Sequence, residues 1–229
     1  VKDFFDQIHR LCQDHKRQSE LTMSKKIDLD DAYNIQTPAD NVKLYAKWAD
    51  SYDVDFAKST DYILPQQVAQ VVHDFSATGT VLDVGAGTGL LGQALCKLGS
   101  YDIDATDISP EMLQTAQRKN IYRRLFISDV TKGMGVGNKT YDVTASSGTF
   151  THGHVGPEAI AELLRVTKDG GTVVISVNTA FWHKNGFEAV INEISPHVRS
   201  IEIRPVAIYG AAATGAHARD EAFIVIIQT

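Results

Sequence analysis

Only two cysteines, Cys12 and Cys96, occur in 229 residues, and neither stands at metal-ligand spacing from other ligating residues. A cysteine-built metal centre is thereby excluded, and both thiols are expected to pack at apolar positions of helices. No apolar stretch reaches the length of a membrane span. The opening VKDFFDQIHRLCQDHKRQSE alternates charge with apolar residues where a secretory leader would be continuously apolar. No membrane partner and a cytoplasmic location are therefore expected. A basic excess is missing as well: 22 Lys and Arg stand against 28 Asp and Glu, a formal net charge of -6. That balance gives no general attraction to phosphate backbones, so nucleic acid is not expected as a partner. Short basic groups such as Arg118-Lys119 and Arg123-Arg124 read as solvated faces.

What remains is an ordinary globular composition, 43% apolar and 22% charged, in a chain long enough to bury a substantial core. Phe4, Phe5, Ile8, Leu11 and Cys12 recur at helical spacing, a docking or lid helix. Residues 19 to 36 are polar and weakly patterned. We read residues 1–36 as an N-terminal helical lid segment and residues 37–229 as the domain that carries function. Thr37-Pro38-Ala39-Asp40 opens a helix through Trp48. Beyond Thr60, β-branched runs at 81–84, 101–108, 124–130, 141–147 and 171–178 alternate with helical patterns at 65–75, 89–98, 109–119 and 157–167. Such alternation requires crossover connections, hence a Rossmann-like, doubly wound α/β sheet, mainly parallel. After a helix near 186–194, segments 199–209 and 222–228 are separated by too short a loop for a crossover helix. They complete seven strands with an antiparallel C-terminal pair, the whole capped by N-terminal helix.

The stretch VLDVGAGTGLLG, residues 81–92, passes from strand to helix through Gly85, Gly87, Gly89 and Gly92. Such a turn leaves backbone N–H groups facing a crevice and lets a ligand approach closely. The last three glycines also satisfy G-x-G-x-x-G, so the pattern alone admits a dinucleotide. Asp107, at the end of the second strand, suits the ribose of either cofactor. Asp83 decides between them. A carboxylate inside a strand is costly unless a cation or several donors meet it, and an amino-acid tail would do so where a pyrophosphate would be repelled. Asp129, ending the third strand, is placed for an adenine amino group. No tyrosine is followed four residues later by lysine, the pair that short-chain dehydrogenases use. Two other readings stay open, a non-catalytic cofactor-binding sensor and a nicotinamide-dependent oxidoreductase.

The series D-V-G-A-G-T-G, T-D-I-S-P-E-M-L and S-D-V, followed by an antiparallel pair, resembles the class I S-adenosylmethionine-dependent methyltransferases over residues 38–229. YAKWADSYD (45–53) and SSGTFTHGHVGPEAIAELLRV (146–166) resemble the methyltransferase-like proteins of the Williams-Beuren region type. The resemblance implies methyl transfer from S-adenosylmethionine, leaving S-adenosylhomocysteine. It also implies a cofactor site of Asp83, Gly85, Ala86, Gly87, Asp107, Ile108, Met112, Asp129, Val130 and Ser146. Tyr45, Trp48 and Tyr52 share one helical face, and Tyr52 is the ring expected near the sulfonium.

In-line methyl transfer asks the protein to exclude water, align a nucleophile and sometimes take its proton. The fourth strand ends in S-S-G-T-F-T-H-G-H, and His154 and His152 are the candidate general bases, with His183 third. The S-S-G-T sequence differs from the Asn or Asp, two prolines and aromatic of many base-directed amino-methyltransferases. A small-molecule acceptor with an O, N or S nucleophile is expected, handled by a monomer or homodimer.

Overall fold

The computed structural model describes Leu44, Trp48, Ala49, residues 51–152 and residues 155–229. The N-terminal apolar stripe with Cys12, the polar stretch 19–36, the boundary at 36/37, most of the helix read through Trp48, and His154 lie outside the described residues. A π-helical turn spans Asp53–Lys58. The α-helices are α1 (Leu64–Phe75), α2 (Leu90–Leu98), α3 (Pro110–Gln117), α4 (Ile160–Val166), α5 (Thr179–Lys184) and α6 (Phe187–Ile194). The strands are β1 (Thr78–Val84), β2 (Ser100–Asp107), β3 (Arg124–Ile127), β4 (Tyr141–Phe150), β5 (Thr167–Asn178), β6 (Ser200–Ala207) and β7 (Glu221–Gln228).

They form one seven-stranded sheet in the order β3-β2-β1-β4-β5-β7-β6. Strands β1 to β5 pair in parallel, and β7 runs antiparallel between β5 and β6. The doubly wound reading and the antiparallel terminal pair are both borne out. The period-2 alternation of buried strands sorts the core into two layers. Val81, Ile103, Val143 and Val174 face Val68, Val72, Leu91 and Leu95 of α1 and α2. Leu82, Val84, Val173 and Ile175 face Ile160, Leu163, Phe187 and Ile191 of α4 and α6.

Helix starts follow their sequence signals. Pro65 and Pro110 sit in first turns, and the Ser109 hydroxyl accepts from the Met112 amide at 3.3 Å. Three elements depart from expectation. Cys96 is exposed on α2, because the buried face of that helix passes through Leu91, Ala94 and Leu95. α5 begins where the Asn178 side chain accepts from the Phe181 amide, a cap easily missed in an apolar stretch. β4 runs on to Phe150 through an irregularity of register between Ser146 and Phe150, with Gly148 at φ +78°. Burial of Phe150 against Phe187 holds that extra length in the sheet. Among the described residues no helix is long and apolar enough to cross a membrane.

Candidate active site

The crevice opens at the carboxyl ends of β1, β2 and β4, where the crossover connections diverge to opposite faces of the sheet. It encloses about 1120 Å³, including its open mouth. The glycine turn forms its floor, but not as an array of open donors. Gly85 and Ala86 both donate their amides to the Thr106 carbonyl, at 2.8 and 3.0 Å, and the Gly87 amide donates to Asp107 Oδ2 at 2.8 Å. A turn this tight satisfies its own backbone first, so what it offers a ligand is space. That space is at Gly87, which has φ +55° and nothing within 4 Å of where a side chain would begin. Gly85 serves another purpose: at φ +67°, any side chain there would run into Thr149.

Four carboxylates in the strand ends and their following turns meet different fates. Asp104 accepts from both Nε and Nη2 of Arg123 and from the Tyr141 hydroxyl, each at 2.9 Å, and is a fully partnered structural acid. Asp107 accepts from the amides of Gly87 and Ser109, one at each oxygen. Burial raises its pKa and those amides oppose the rise. Asp129 lies beyond the end of β3, which stops at Ile127, and caps the short turn Val130–Lys132 through Thr131. Burial pushes its pKa up, bonds from Thr131 and Lys132 outweigh that, and the net shift is downward.

Asp83 is the exception. It is 1% exposed, Oδ2 accepts from the Tyr122 hydroxyl at 2.8 Å, and Oδ1 has no hydrogen-bond partner. Burial pushes its pKa up to about 7, with the Tyr122 hydroxyl opposing and Asp107 adding to the rise. A buried carboxylate with an unsatisfied oxygen costs several kcal/mol unless a donor arrives, on the order of 1–3 kcal/mol even for a neutral group.

The cap reaches the same turn. Tyr52 lines the crevice within a cluster, 5.1 Å from Trp48 and 4.9 Å from Phe56 between ring centroids. Asp53 accepts from Thr88 of the glycine turn at 2.6 Å and pairs with Lys119 at 2.7 Å. Thr115 of α3 donates to the Ala49 carbonyl at 3.3 Å. The π-helical turn is thus tied to both sides of the ligand space.

At the β4 end, Ser147, Gly148 and Thr149 line the crevice together with Tyr62, Pro65 and Val155. Ser146 does not line it: its buried hydroxyl donates to the Val84 carbonyl at 2.7 Å, because strand alternation turns Ser147 toward the cavity and Ser146 away. Tyr62 is half-buried and presses its hydroxyl toward Gly148 and Ser147, and desolvation pushes its pKa up to about 12. His152 is also absent from the lining; its ring stands edge-to-face to Phe181 at 5.3 Å. Burial, then the charge of Lys184, lowers its pKa. His183 does not reach the crevice mouth. It is exposed on α5, 3.7 Å from Glu188 and 6.0 Å from the Phe223 ring.

The structure therefore brings Tyr52, Asp83, Gly85, Ala86, Gly87, Asp107, Ile108, Met112, Asp129 and Val130 to one crevice. Asp53, Tyr62, Thr88, Tyr122, Ser147 and Thr149 join the site without having been singled out. Only Ser147 and Thr149 stood within a stretch already marked as the catalytic strand end. The chemistry offered is one unpaired buried carboxylate oxygen, a second carboxylate beside open space, and apolar walls at Ile108, Met112 and Val130. These suit a ligand with a cationic tail, a diol and a flat ring.

Comparison with known proteins agrees. A methyltransferase-domain family matches residues 81–171. Human methyltransferase-like protein 27 is 30% identical over 171 residues, covering 71% of this chain and 69% of that one. A demethylmenaquinone methyltransferase of Streptomyces avermitilis is 28% identical over 141 residues, 60% of each chain. A candidate S-adenosyl-L-methionine-dependent methyltransferase from Methanococcus maripaludis superposes with a TM-score of 0.59 at 24% identity, over 82% of this chain and 92% of that one. The glycine turn, the strand-end acids, the sheet order and these relatives converge: the chain belongs to the class I S-adenosylmethionine-dependent methyltransferases, with S-adenosylmethionine as its cofactor.

Proposed function

We propose that the chain methylates a small-molecule acceptor, with the cofactor lying across the ends of β1 and β2 and the acceptor entering beside the end of β4. The observation that carries the cofactor's placement is the unpaired Oδ1 of Asp83 in the crevice wall. An ammonium group is the donor that such an oxygen calls for. Asp107, whose oxygens each keep a lone pair beyond the backbone amides, holds the ribose hydroxyls. Asp129 and the Val130 backbone hold the adenine amino edge between Ile108 and Met112. Gly87 leaves room for the methionyl part, and Tyr52 lends a ring face to the positive sulfur. When bound, S-adenosylmethionine supplies an activated methyl group on sulfur, which passes in line to the acceptor's O, N or S and leaves S-adenosylhomocysteine.

The protein's own residues then orient the acceptor and keep water out. Tyr62, Pro65, Ser147, Gly148, Thr149 and Val155 present an uncharged wall, hydroxyl-bearing and partly apolar. That wall supports an uncharged organic acceptor, and a relative named for demethylmenaquinone is in keeping with a non-polymeric organic acceptor. His152 and His154, which follow Phe150 in the sequence, are assigned to take the acceptor's proton; His152 stands outside the crevice lining against Phe181, so this role requires it to turn toward the bound acceptor. Burial keeps His152 below the ordinary histidine range, so at neutral pH it is unprotonated and able to accept. Cytoplasmic action accompanies this reading.

The test is calorimetry with S-adenosylhomocysteine on the wild-type chain and on Asp83→Asn. Strong binding to the first and a loss of about tenfold or more in the second is expected. Equal affinity overturns the placement. For the proton acceptors, His152→Ala is expected to slow turnover at saturating acceptor while leaving cofactor affinity unchanged, and an unchanged rate removes that role.

A further inference from the structure

We infer that Tyr122 is a positioning residue of the cofactor site, whose hydroxyl fixes one oxygen of Asp83 so that the other is left for the cofactor's ammonium group. Tyr122 lies between α3 and β3, 39 positions along the chain from Asp83, and donates to Asp83 Oδ2 at 2.8 Å. Its ring occupies the space left by two glycines at the start of α2. A side chain at Gly89 would come within 2.9 Å of the ring and its hydroxyl, and one at Gly92 would collide with the ring. Two of the three glycines of the G-x-G-x-x-G pattern therefore make room for a phenol on this side of the turn. Gly87, the third, is the one that faces open space. The same contact keeps the carboxylate from swinging freely, and the unpaired Oδ1 belongs to a residue of the crevice wall.

The charges around the pair support this division of labour. Asp83 sits between Ala105 of β2 and Ala145 of β4 in register, so neither neighbouring strand offers it a counter-charge there. Asp107 at the end of β2 disfavours its ionised form, while Lys119 after α3 favours it. Cys96 on α2 acts on Tyr122 rather than on Asp83. Burial first, then the Asp83 charge, raises the Tyr122 pKa well above the usual range, so the phenol keeps its proton and can only donate to the carboxylate. Without that donor, burial and Asp107 are opposed only by the Gly92 backbone amide and then by the charge of Lys119, and Asp83 ionises only at higher pH.

The inference rests on the assignment of Asp83 to the cofactor's amino group, and the test separates the two. Binding of S-adenosylhomocysteine is measured by calorimetry from pH 6 to pH 9 on the full chain, Tyr122→Phe and Asp83→Asn. Tyr122→Phe retains the ring and its packing on Gly89 and Gly92. It is expected to bind roughly tenfold more weakly than wild type at pH 6 to 7. The gap should narrow toward pH 9, where Asp83 is ionised in both. Wild-type affinity in Tyr122→Phe, or a deficit equal at every pH, overturns the role of Tyr122. Wild-type affinity in Asp83→Asn instead overturns the assignment beneath it. A second reading needs no variant: in the wild-type chain the carbon-13 signal of the Tyr122 ring carbon bearing oxygen is expected to shift along with the Asp83 carboxyl as that acid titrates. A Tyr122 signal indifferent to that titration contradicts the inference.

Discussion

The two halves of the crevice are built on different terms. On the β1–β2–β3 side, each acid is anchored by residues of the turns and strand ends around it: Asp107 by Gly87 and Ser109, Asp129 by Thr131 and Lys132. On the β4 side the wall is uncharged and assembled from far apart, with Tyr62 reaching Gly148 across more than eighty residues. The first half can be fixed by short-range chemistry because its ligand is the same in every enzyme that uses this cofactor. The second must suit one acceptor, and its shape comes from packing between remote segments. Tyr122 and Asp53 are the exceptions on the cofactor side, since both act there over long sequence separations.

The largest expected effect separates two glycines of one motif. Gly85→Ala places a methyl group against Thr149 at positive φ and should lower stability by about 3 kcal/mol in denaturant unfolding. Gly87→Ala, at positive φ but facing open space, should cost only about 1 kcal/mol. Equal losses would erase the distinction between a glycine required by packing and one that keeps space clear.

Next, Asp107→Ala removes the ribose acceptor and strands two backbone amides, so affinity for S-adenosylhomocysteine should fall about a hundredfold by calorimetry. A smaller step tests the tie between the cap and the glycine turn. Asp53→Asn weakens its bonds to Thr88 and Lys119, and a loss of cofactor affinity of about tenfold is expected. No loss would mean that the π-helical turn covers the site without contributing to it.

Smaller still is the contrast between adjacent serines. Ser146→Ala gives up a buried hydrogen bond to Val84 and should cost about 1 kcal/mol of stability with cofactor affinity intact. Ser147→Ala should spare stability and alter acceptor turnover. The reverse pattern would put the wrong serine in the wall.

The smallest effect lies at the opposite end of β4 and serves as a control on pH. Bonds from Lys168, then Thr80, hold Asp142 at a pKa of about 2. A depressed carboxylate contributes stability above its unfolded pKa near 4 and loses it as pH falls toward 2. Because the group is more than one-third exposed, that contribution should stay below about 1 kcal/mol. Asp83 has the opposite sign. Its raised pKa favours the protonated free protein, so cofactor affinity should decline as pH drops below about 7.

Much of this was legible because local rules govern it. The β-branched runs alternating with helical periods implied the sheet, and glycine spacing with acids at successive strand ends implied the cofactor half. Sequence patterns misplaced what tertiary contacts decide. Ser146 was assigned to the cavity because spacing cannot tell which face an irregular strand end presents. His183 was read as a third candidate base because α5 was unseen, and that helix turns it toward Glu188, away from the crevice. The amides of Gly85 and Ala86 were expected to be free, whereas the Thr106 carbonyl takes both. Tyr122 left no signature at all: a single phenol far from the motif explains two of its glycines.

The central claim is that the buried, half-partnered Asp83 receives the cofactor's amino group while Asp107 takes its ribose. A crystal structure of the chain with S-adenosylhomocysteine tests it most directly. The account predicts the ligand's ammonium within hydrogen-bonding distance of Asp83 Oδ1, with Tyr122 still bonded to Oδ2. A ligand whose amino-acid end lies away from Asp83, with Oδ1 satisfied by the protein alone, would contradict it.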